Sequence, residues 1–331
     1  KDSTDGDKEK PEKGSKRKSS RPAVGFVDDV AKDADGKGGR EASLRSKVTK
    51  GALSATPKVK GGDNWICCLQ YDDKKIACGA LNSRCISVYD FETGERIQTL
   101  EGHTGIVYCL QFVDDKLISG SGDGTYKVWN MSTGVCLSTV EAHSPSGVLC
   151  LQFDDTHVVT GCTMCSIKMW NINTGAQVSS FDGHEEAVWC LRFSPTTIVS
   201  GSEDRTIRVW DRFGGSCIRV IQGHTAPVRC IAFDDEYIVS GSEDCTVRVY
   251  DFKTGERLRN LQGHTRSVIC VHLDKDLIIS GSFDKTIRVW DRKNPATFTT
   301  LKGHTLGVYC LQADKTKIMS GSEDGTILLW T

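Results

Sequence analysis

A histidine mark returns in this chain about every forty residues. Histidines preceded by glycine, or once by alanine, stand at His103, His143, His184, His224, His264 and His304, with spacings of 40, 41, 40, 40 and 40 residues. An aromatic residue follows each, at Trp129, Trp170, Trp210, Tyr250, Trp290 and Trp330. Tyr89-Asp90 is a seventh, earlier mark whose unit starts at Gly61-Gly62. A unit this short cannot bury its own apolar face, so a fixed period of this length implies stacked neighbours. Within the unit at 183–211, the runs 187–193, 197–200 and 206–210 are short and rich in apolar or β-branched residues, and 216–221 is a fourth. Turn residues separate them: Ser194-Pro195, then Gly-Ser-Glu-Asp at 201–204, then a Gly-containing turn after Asp211. Such runs read as strands. Four strands per unit and seven units predict an all-β fold, a seven-bladed propeller.

A blade lies sandwiched between its neighbours, so its polar groups are buried and need partners. In the fourth unit His184 precedes the first strand, Ser200 ends the second, Asp204 lies in the next turn and Trp210 is on the third strand. These His and Trp-Asp marks at this spacing resemble the WD-repeat family, and the resemblance covers about residues 61–331. It implies that the four side chains form one hydrogen-bonded chain. The same set stands at His103, Ser119, Asp123, Trp129; at His264, Ser280, Asp284, Trp290; and at His304, Ser320, Asp324, Trp330. The fifth unit has His224, Ser240 and Asp244 with Tyr250 for Trp. Ser, His and Asp together also suit nucleophilic catalysis. Five units carry the set, however, and an enzyme needs one site whereas a structural device is reused.

The propeller domain is expected over 53–331, with blades at 61–90, 102–130, 142–171, 183–211, 223–251, 263–291 and 303–331. The last blade ends at Thr331 without its fourth strand. A strand at about 55–60 is expected to supply it and so remove two exposed edges. Pro57 is tolerable on an outermost strand. The first blade is degenerate, with Gly62 for His, Cys78 for Ser and Leu81-Asn82-Ser83 where Gly-Ser-x-Asp should stand. The third keeps His143, Thr160 and Trp170 but has Met164 in place of Asp.

Residues 1–52 carry no apolar periodicity, and Phe26 is their only aromatic residue. Such a segment buries too little apolar surface to offset its ordering entropy, so a disordered, charged low-complexity tail is expected. Residues 1–60 hold 16 Lys and Arg against 10 Asp and Glu, a net +6; the whole chain is −1, so the remainder is −7. That balance disfavours nucleic acid as a partner of the ring. Lys16-Arg17-Lys18 followed by Ser19 and Ser20 reads as a solvated cluster, or as a nuclear-import signal or kinase site. No apolar run approaches 18 residues, so no membrane partner is expected. The chain opens on Lys1 rather than Met, as a fragment of a longer product does.

Fifteen cysteines suggest a disulfide protein until they are placed. Cys68, Cys109, Cys150, Cys190, Cys230, Cys270 and Cys310 occupy one position in the first strand of every blade. Equivalent positions around a ring lie too far apart to be bridged. They read as small buried hydrophobes in a reducing compartment, cytoplasmic or nuclear. Cys162 and Cys165 have CxxC spacing, but no further ligands accompany them, and a variant turn is the better reading. Residues 120–125 form a repeat turn and not a phosphate loop, since no Gly-Lys-Ser/Thr follows. No metal, cofactor or catalytic site is expected, so the chain reads as a binding protein and not an enzyme.

The His-bearing loops and the Gly-Ser-x-Asp turns should emerge on one face. The fifth residue after each His points toward the central channel: Tyr108, Trp189, Arg229, Ile269 and Tyr309, with Leu149 in the shifted blade. The residue before each turn Asp gives Gly122, Glu203, Glu243, Phe283 and Glu323. Aromatic residues beside charges on an exposed rim suit a protein or peptide ligand. The partner-binding set is therefore Tyr108, Trp189, Arg229, Tyr309, Glu203, Glu243, Phe283 and Glu323, with Arg266 in a neighbouring loop. The repeated phrasing looks most like the F-box/WD class of ubiquitin-ligase substrate receptors. That resemblance implies ubiquitin-ligase subunits as partners and a phosphorylated degron read by arginines, of which Arg229 is here the matching one. The alternative is a scaffold or adaptor in a signalling or nuclear complex.

Overall fold

A computed structural model describes residues 43–49, 53–59, 64–296 and 298–331. The Lys16-Arg17-Lys18 cluster and most of the expected tail lie outside the described residues. Seven four-stranded antiparallel sheets form the blades, as the sequence period predicts. Six of them take their strands consecutively from the chain. In the fourth blade the strands are Val188–Phe193, Thr197–Ser202, Ile207–Asp211 and Cys217–Ile221. The first two are almost wholly buried and the last is largely exposed, so the core lies between blades and toward the ring centre. Gly201 and Ser202, read as turn residues, extend the second strand opposite Cys190 and Val188. A bulge between Val188 and Cys190 carries the pairing that far.

That glycine is needed for the ring. A Cβ on Gly201 would lie 2.6 Å from Val228 Cγ1 of the next blade and 2.7 Å from Cys190 Sγ. Blade five's first strand therefore packs directly on the backbone of blade four, with the cysteine filling the remaining space. The arrangement continues across the closure, where Ile66 of blade one approaches Gly321 of blade seven. A glutamine clasp adds polar links between first strands. Gln312 accepts from Tyr71 N–H at 2.8 Å and donates to Tyr71 O at 3.2 Å, joining blades seven and one. Gln111 does the same to Phe153, at 2.6 and 3.1 Å.

Blade seven takes its outer strand from the other end of the chain. Ala55–Val59 pairs antiparallel with Ile327–Trp330, Ala55 opposite Trp330 and Val59 opposite Ile327. Pro57 faces Leu328 beside a register shift, where a missing donor costs least. The expectation of disorder through residue 52 is corrected at 43–49. Leu44–Thr49 is a short helix on blades six and seven. Leu44 is 1% exposed and its N–H donates to Lys315 O. Arg45 spans Asp276 and Asp291, both at 2.7 Å. One buried leucine and one forked cation dock the segment, and neither shows as a periodic apolar pattern in sequence.

Candidate partner-binding face

The hydrogen-bonded chain forms as the resemblance implies. In blade four Trp210 Nε1–H donates to Ser200 Oγ at 2.8 Å, and Ser200 and His184 Nε2 are 2.8 Å apart. His184 Nδ1 lies 2.7 Å from Asp204 Oδ2. A neutral imidazole protonated on Nδ1 satisfies every link: it accepts from the serine and donates to the carboxylate. Asp204 also accepts from Glu185 N–H, Thr206 N–H and Thr206 O–H. These bonds tie the His-bearing loop to the turn, so both emerge on one face. Burial pushes the Asp204 carboxyl up, but the bonds from His184 and Thr206 outweigh it and hold the group well below the usual carboxylate range. Burial pulls the His184 pKa down and Asp204 only partly offsets that. Blades two and six repeat the geometry, with His–Asp distances of 2.9 and 2.7 Å. In blade seven the Asp324 contact lengthens to 3.3 Å and Thr326 approaches to 3.0 Å. Ser200 is fully buried and bonded to an indole, so its hydroxyl meets no substrate.

Blade three keeps half the chain. Trp170 donates to Thr160 at 2.9 Å and Thr160 contacts His143 Nε2 at 2.8 Å. Met164 leaves Nδ1 with Ser166 Oγ at 3.2 Å in place of a carboxylate. Burial, with repulsion from Lys168, then pulls His143 down to about 4. Cys165 occupies the left-handed turn position, φ 62°, that Arg205 fills in blade four at φ 69°. The CxxC spacing is therefore a turn, and all fifteen cysteines are free. Among the described residues no group of three His, Cys, Asp or Glu side chains could hold a metal. No helix among them is long and apolar enough to cross a membrane.

At the channel the structure corrects the expected exposure. Trp189, Arg229 and Tyr309 are buried, as are Leu149 and Ile269. They lie beneath the surface and do not line an open rim. Arg229 stacks on Trp189 with its guanidinium carbon 3.8 Å from the ring centroid, and its Nε lies 3.3 Å from Glu243 Oε1. Burial lowers the Arg229 pKa and Glu243 opposes the shift. Tyr309 meets Phe283 edge to face at 5.1 Å. Tyr108 packs on the Leu149–Ala187–Trp189 cluster and remains half-buried. Glu203, Glu243, Phe283 and Glu323 are half-buried, and Glu185, Glu186 and Arg266 are exposed. Arg266 lies beside Phe283, donating to its carbonyl at 3.4 Å. Nine residues singled out in sequence thus share one end of the ring, but three of them lie beneath its surface.

The family model described as "WD domain, G-beta repeat" matches residues 94–130, 134–171, 175–211, 215–251, 255–291 and 296–331. The chain belongs to that family. The matches begin after the degenerate first WD unit, although that unit folds as a full four-stranded blade. The WD repeat-containing protein pop1 of Schizosaccharomyces pombe is 41% identical over 76 residues, 23% of this chain and 10% of that protein. The guanine nucleotide-binding protein subunit beta of the same yeast is 32% identical over 127 residues, 36% of this chain and 41% of that protein. The chain thus spans less than half the length of these relatives. The crystal structure of the computationally designed Ika8 protein matches 82% of this chain and 98% of that one, at 32% identity and a TM-score of 0.67.

The WD marks hid one feature of these blades. Two residues before each third-strand Trp or Tyr in blades two to six stands Lys127, Lys168, Arg208, Arg248 or Arg288. The Arg208 and Arg288 guanidiniums lie 5.9 Å over Trp210 and Trp290. Their periodicity was visible in sequence, but a charge on a strand reads as solvent-facing until its stem is seen to cover a ring.

Proposed function

We propose that this WD ring is a non-enzymatic protein-interaction module whose loop face receives a peptide segment, as the substrate-recognition part of a ubiquitin ligase. The observation that carries the ligand class is the charge left accessible on that face. Glu185, Glu186, Glu203, Glu243 and Glu323 reach solvent in whole or part, and they outnumber the exposed cations described beside them, Arg266 and the turn residues Arg205 and Lys285. Arg229, the arginine that a phosphorylated degron would need, is buried, stacked on Trp189 and facing Glu243. A ligand carrying Lys or Arg beside an aliphatic anchor complements this surface, and like charge is penalised. Phe283 and Tyr108 are the accessible anchors, since both are half-buried whereas Trp189 and Tyr309 are buried.

A peptide array probed with the ring tests the ligand. Basic peptides should bind, Phe283→Ala should weaken them most, and Glu203→Lys with Glu243→Lys should weaken them in a salt-dependent way. Preference for phosphopeptides, abolished by Arg229→Ala and indifferent to the glutamates, overturns the ligand class. Affinity capture tests the assignment: ligase subunits should co-purify. The likeness to a G-protein beta subunit favours a second reading, a scaffold in a signalling assembly, and capture without any ligase subunit selects it.

A further inference from the structure

Blade one departs from blades two to six in several residues, and the departures meet at one point. Cys78 stands where they have Ser or Thr on the second strand, Tyr89 where four of them have Trp, and Ser87 where they have Lys or Arg. In sequence, Gly62 stands where they have His. Cys78 pairs with Ser87, and strand alternation puts Cys85, Ser87 and Tyr89 on one face. Two of these changes remove atoms from the same place: part of the indole at Tyr89, and at Ser87 the cationic stem that covers it.

What remains is a cavity of about 210 Å³ lined by Asn64, Cys78, Ser83, Cys85, Ser87 and Tyr89 among others. Tyr89 is half-buried, whereas Trp129 and Trp210 are 0% exposed. An apolar cavity of about 150 Å³ takes up benzene, so this one has room for a larger ring. Its walls differ along their depth. Ile66, Ala80 and Cys78 are buried. Burial keeps the Cys78 thiol protonated by raising its pKa, with Cys68 and Cys85 adding to the effect. Nearer the mouth stand Asn64, Ser87, the Ser83–Cys85 pair, 2.8 Å apart, and exposed Arg96 on the fourth strand, paired with Tyr89. A flat apolar body with one polar hydrogen suits this gradient, as the blade's own indole does elsewhere in the ring.

We propose that blade one is a binding site for one aromatic ring system bearing a hydrogen-bond donor, an indole in the first instance, which fills space that the third-strand Trp occupies in five of the other blades. The ring comes either from a free small molecule or from a tryptophan side chain of a bound peptide. The inference does not rest on the function proposed for the channel face.

Cys85, half-buried at the cavity, is the reporter. The full chain is alkylated with iodoacetamide, and modification of Cys85 is followed by peptide mass spectrometry with and without indole or N-acetyltryptophanamide. Exposed Cys217 is the internal control. Indole at ten times its Kd leaves about a tenth of the cavity empty and should slow Cys85 about tenfold while Cys217 is unchanged. Protection by both compounds assigns the site to a peptide side chain, and protection by indole alone assigns it to a small molecule. Tyr89→Trp should fill the cavity from within and remove indole protection. Ser87→Arg, which covers the mouth as Arg208 covers Trp210, should do the same and serves if the first variant does not fold. Unchanged Cys85 alkylation in saturating indole, or full protection in either folded variant, overturns the proposal.

Discussion

Met164→Asp should stabilise this protein, and by an amount that depends on pH. Met164 is 67% exposed at the turn position that Asp204 fills in blade four, so its loss removes no packing. The introduced carboxylate faces His143 Nδ1, whose present partner is Ser166 Oγ at 3.2 Å. A hydrogen bond to a charged group contributes about 1.5–3 kcal/mol, and desolvating the new carboxylate offsets part of it. A net gain of about 1–2 kcal/mol is expected at pH 7. The pH dependence follows from His143, whose pKa falls from about 6.5 in the unfolded chain to about 4 in the fold. Below pH 6.5 the unfolded chain holds a proton that the folded chain lacks. Wild-type stability therefore falls on acidification by about 1.4 kcal/mol per pH unit, or about 3 kcal/mol by pH 4, from this residue alone. A carboxylate at Nδ1 raises the folded pKa and removes part of that loss. The advantage of Met164→Asp should widen from pH 7 to about 4.5 and shrink below about 4, where the new group protonates. Urea midpoints at pH 7.5, 6 and 5, with the His143 titration followed by NMR, measure both effects. An unchanged His143 pKa with equal midpoints at every pH would refute the account of the network.

Asp204→Ala should cost about 1–3 kcal/mol, since the buried His184 N–H loses its acceptor, and Asp284→Ala should cost the same. Because Asp204 is held below the usual carboxylate range, that contribution is fully present above about pH 4 and is lost below it, so the variant and wild type should converge in acid; midpoints within error at neutral pH for both variants would contradict this. Gly201→Ala should destabilise by about 1–3 kcal/mol because its Cβ meets Val228 and Cys190, and adding Val228→Ala should recover part of the loss in a double-mutant cycle. Leu44→Ala should lower stability by about 2 kcal/mol and Arg45→Ala by less than about 1 kcal/mol, since the leucine is buried and the ion pairs face solvent. A larger thermal shift for Arg45→Ala than for Leu44→Ala would show instead that charge holds the helix.

The amino-acid sequence determined by itself whatever one blade contains. His184, Ser200, Asp204 and Trp210 lie within 27 residues of one another, and strand alternation brings them together with no help from the rest of the chain. Recurrence of that set gave the period, the strands and the blade count. The strand that completes blade seven was legible because a missing fourth strand at one terminus matched a strand-like segment at the other. What one blade does to the next was decided by tertiary structure. Arg229 reads as an exposed cation until Trp189 of the preceding blade is seen to lie under it. Gly201 reads as a turn residue until Val228 of the following blade closes on it. Leu44 and Arg45 find their partners more than 200 residues away. Periodicity reports which residues share a face within an element, and burial depends on which other element covers that face. In a ring most covers come from a neighbouring blade, about forty residues before or after in the chain.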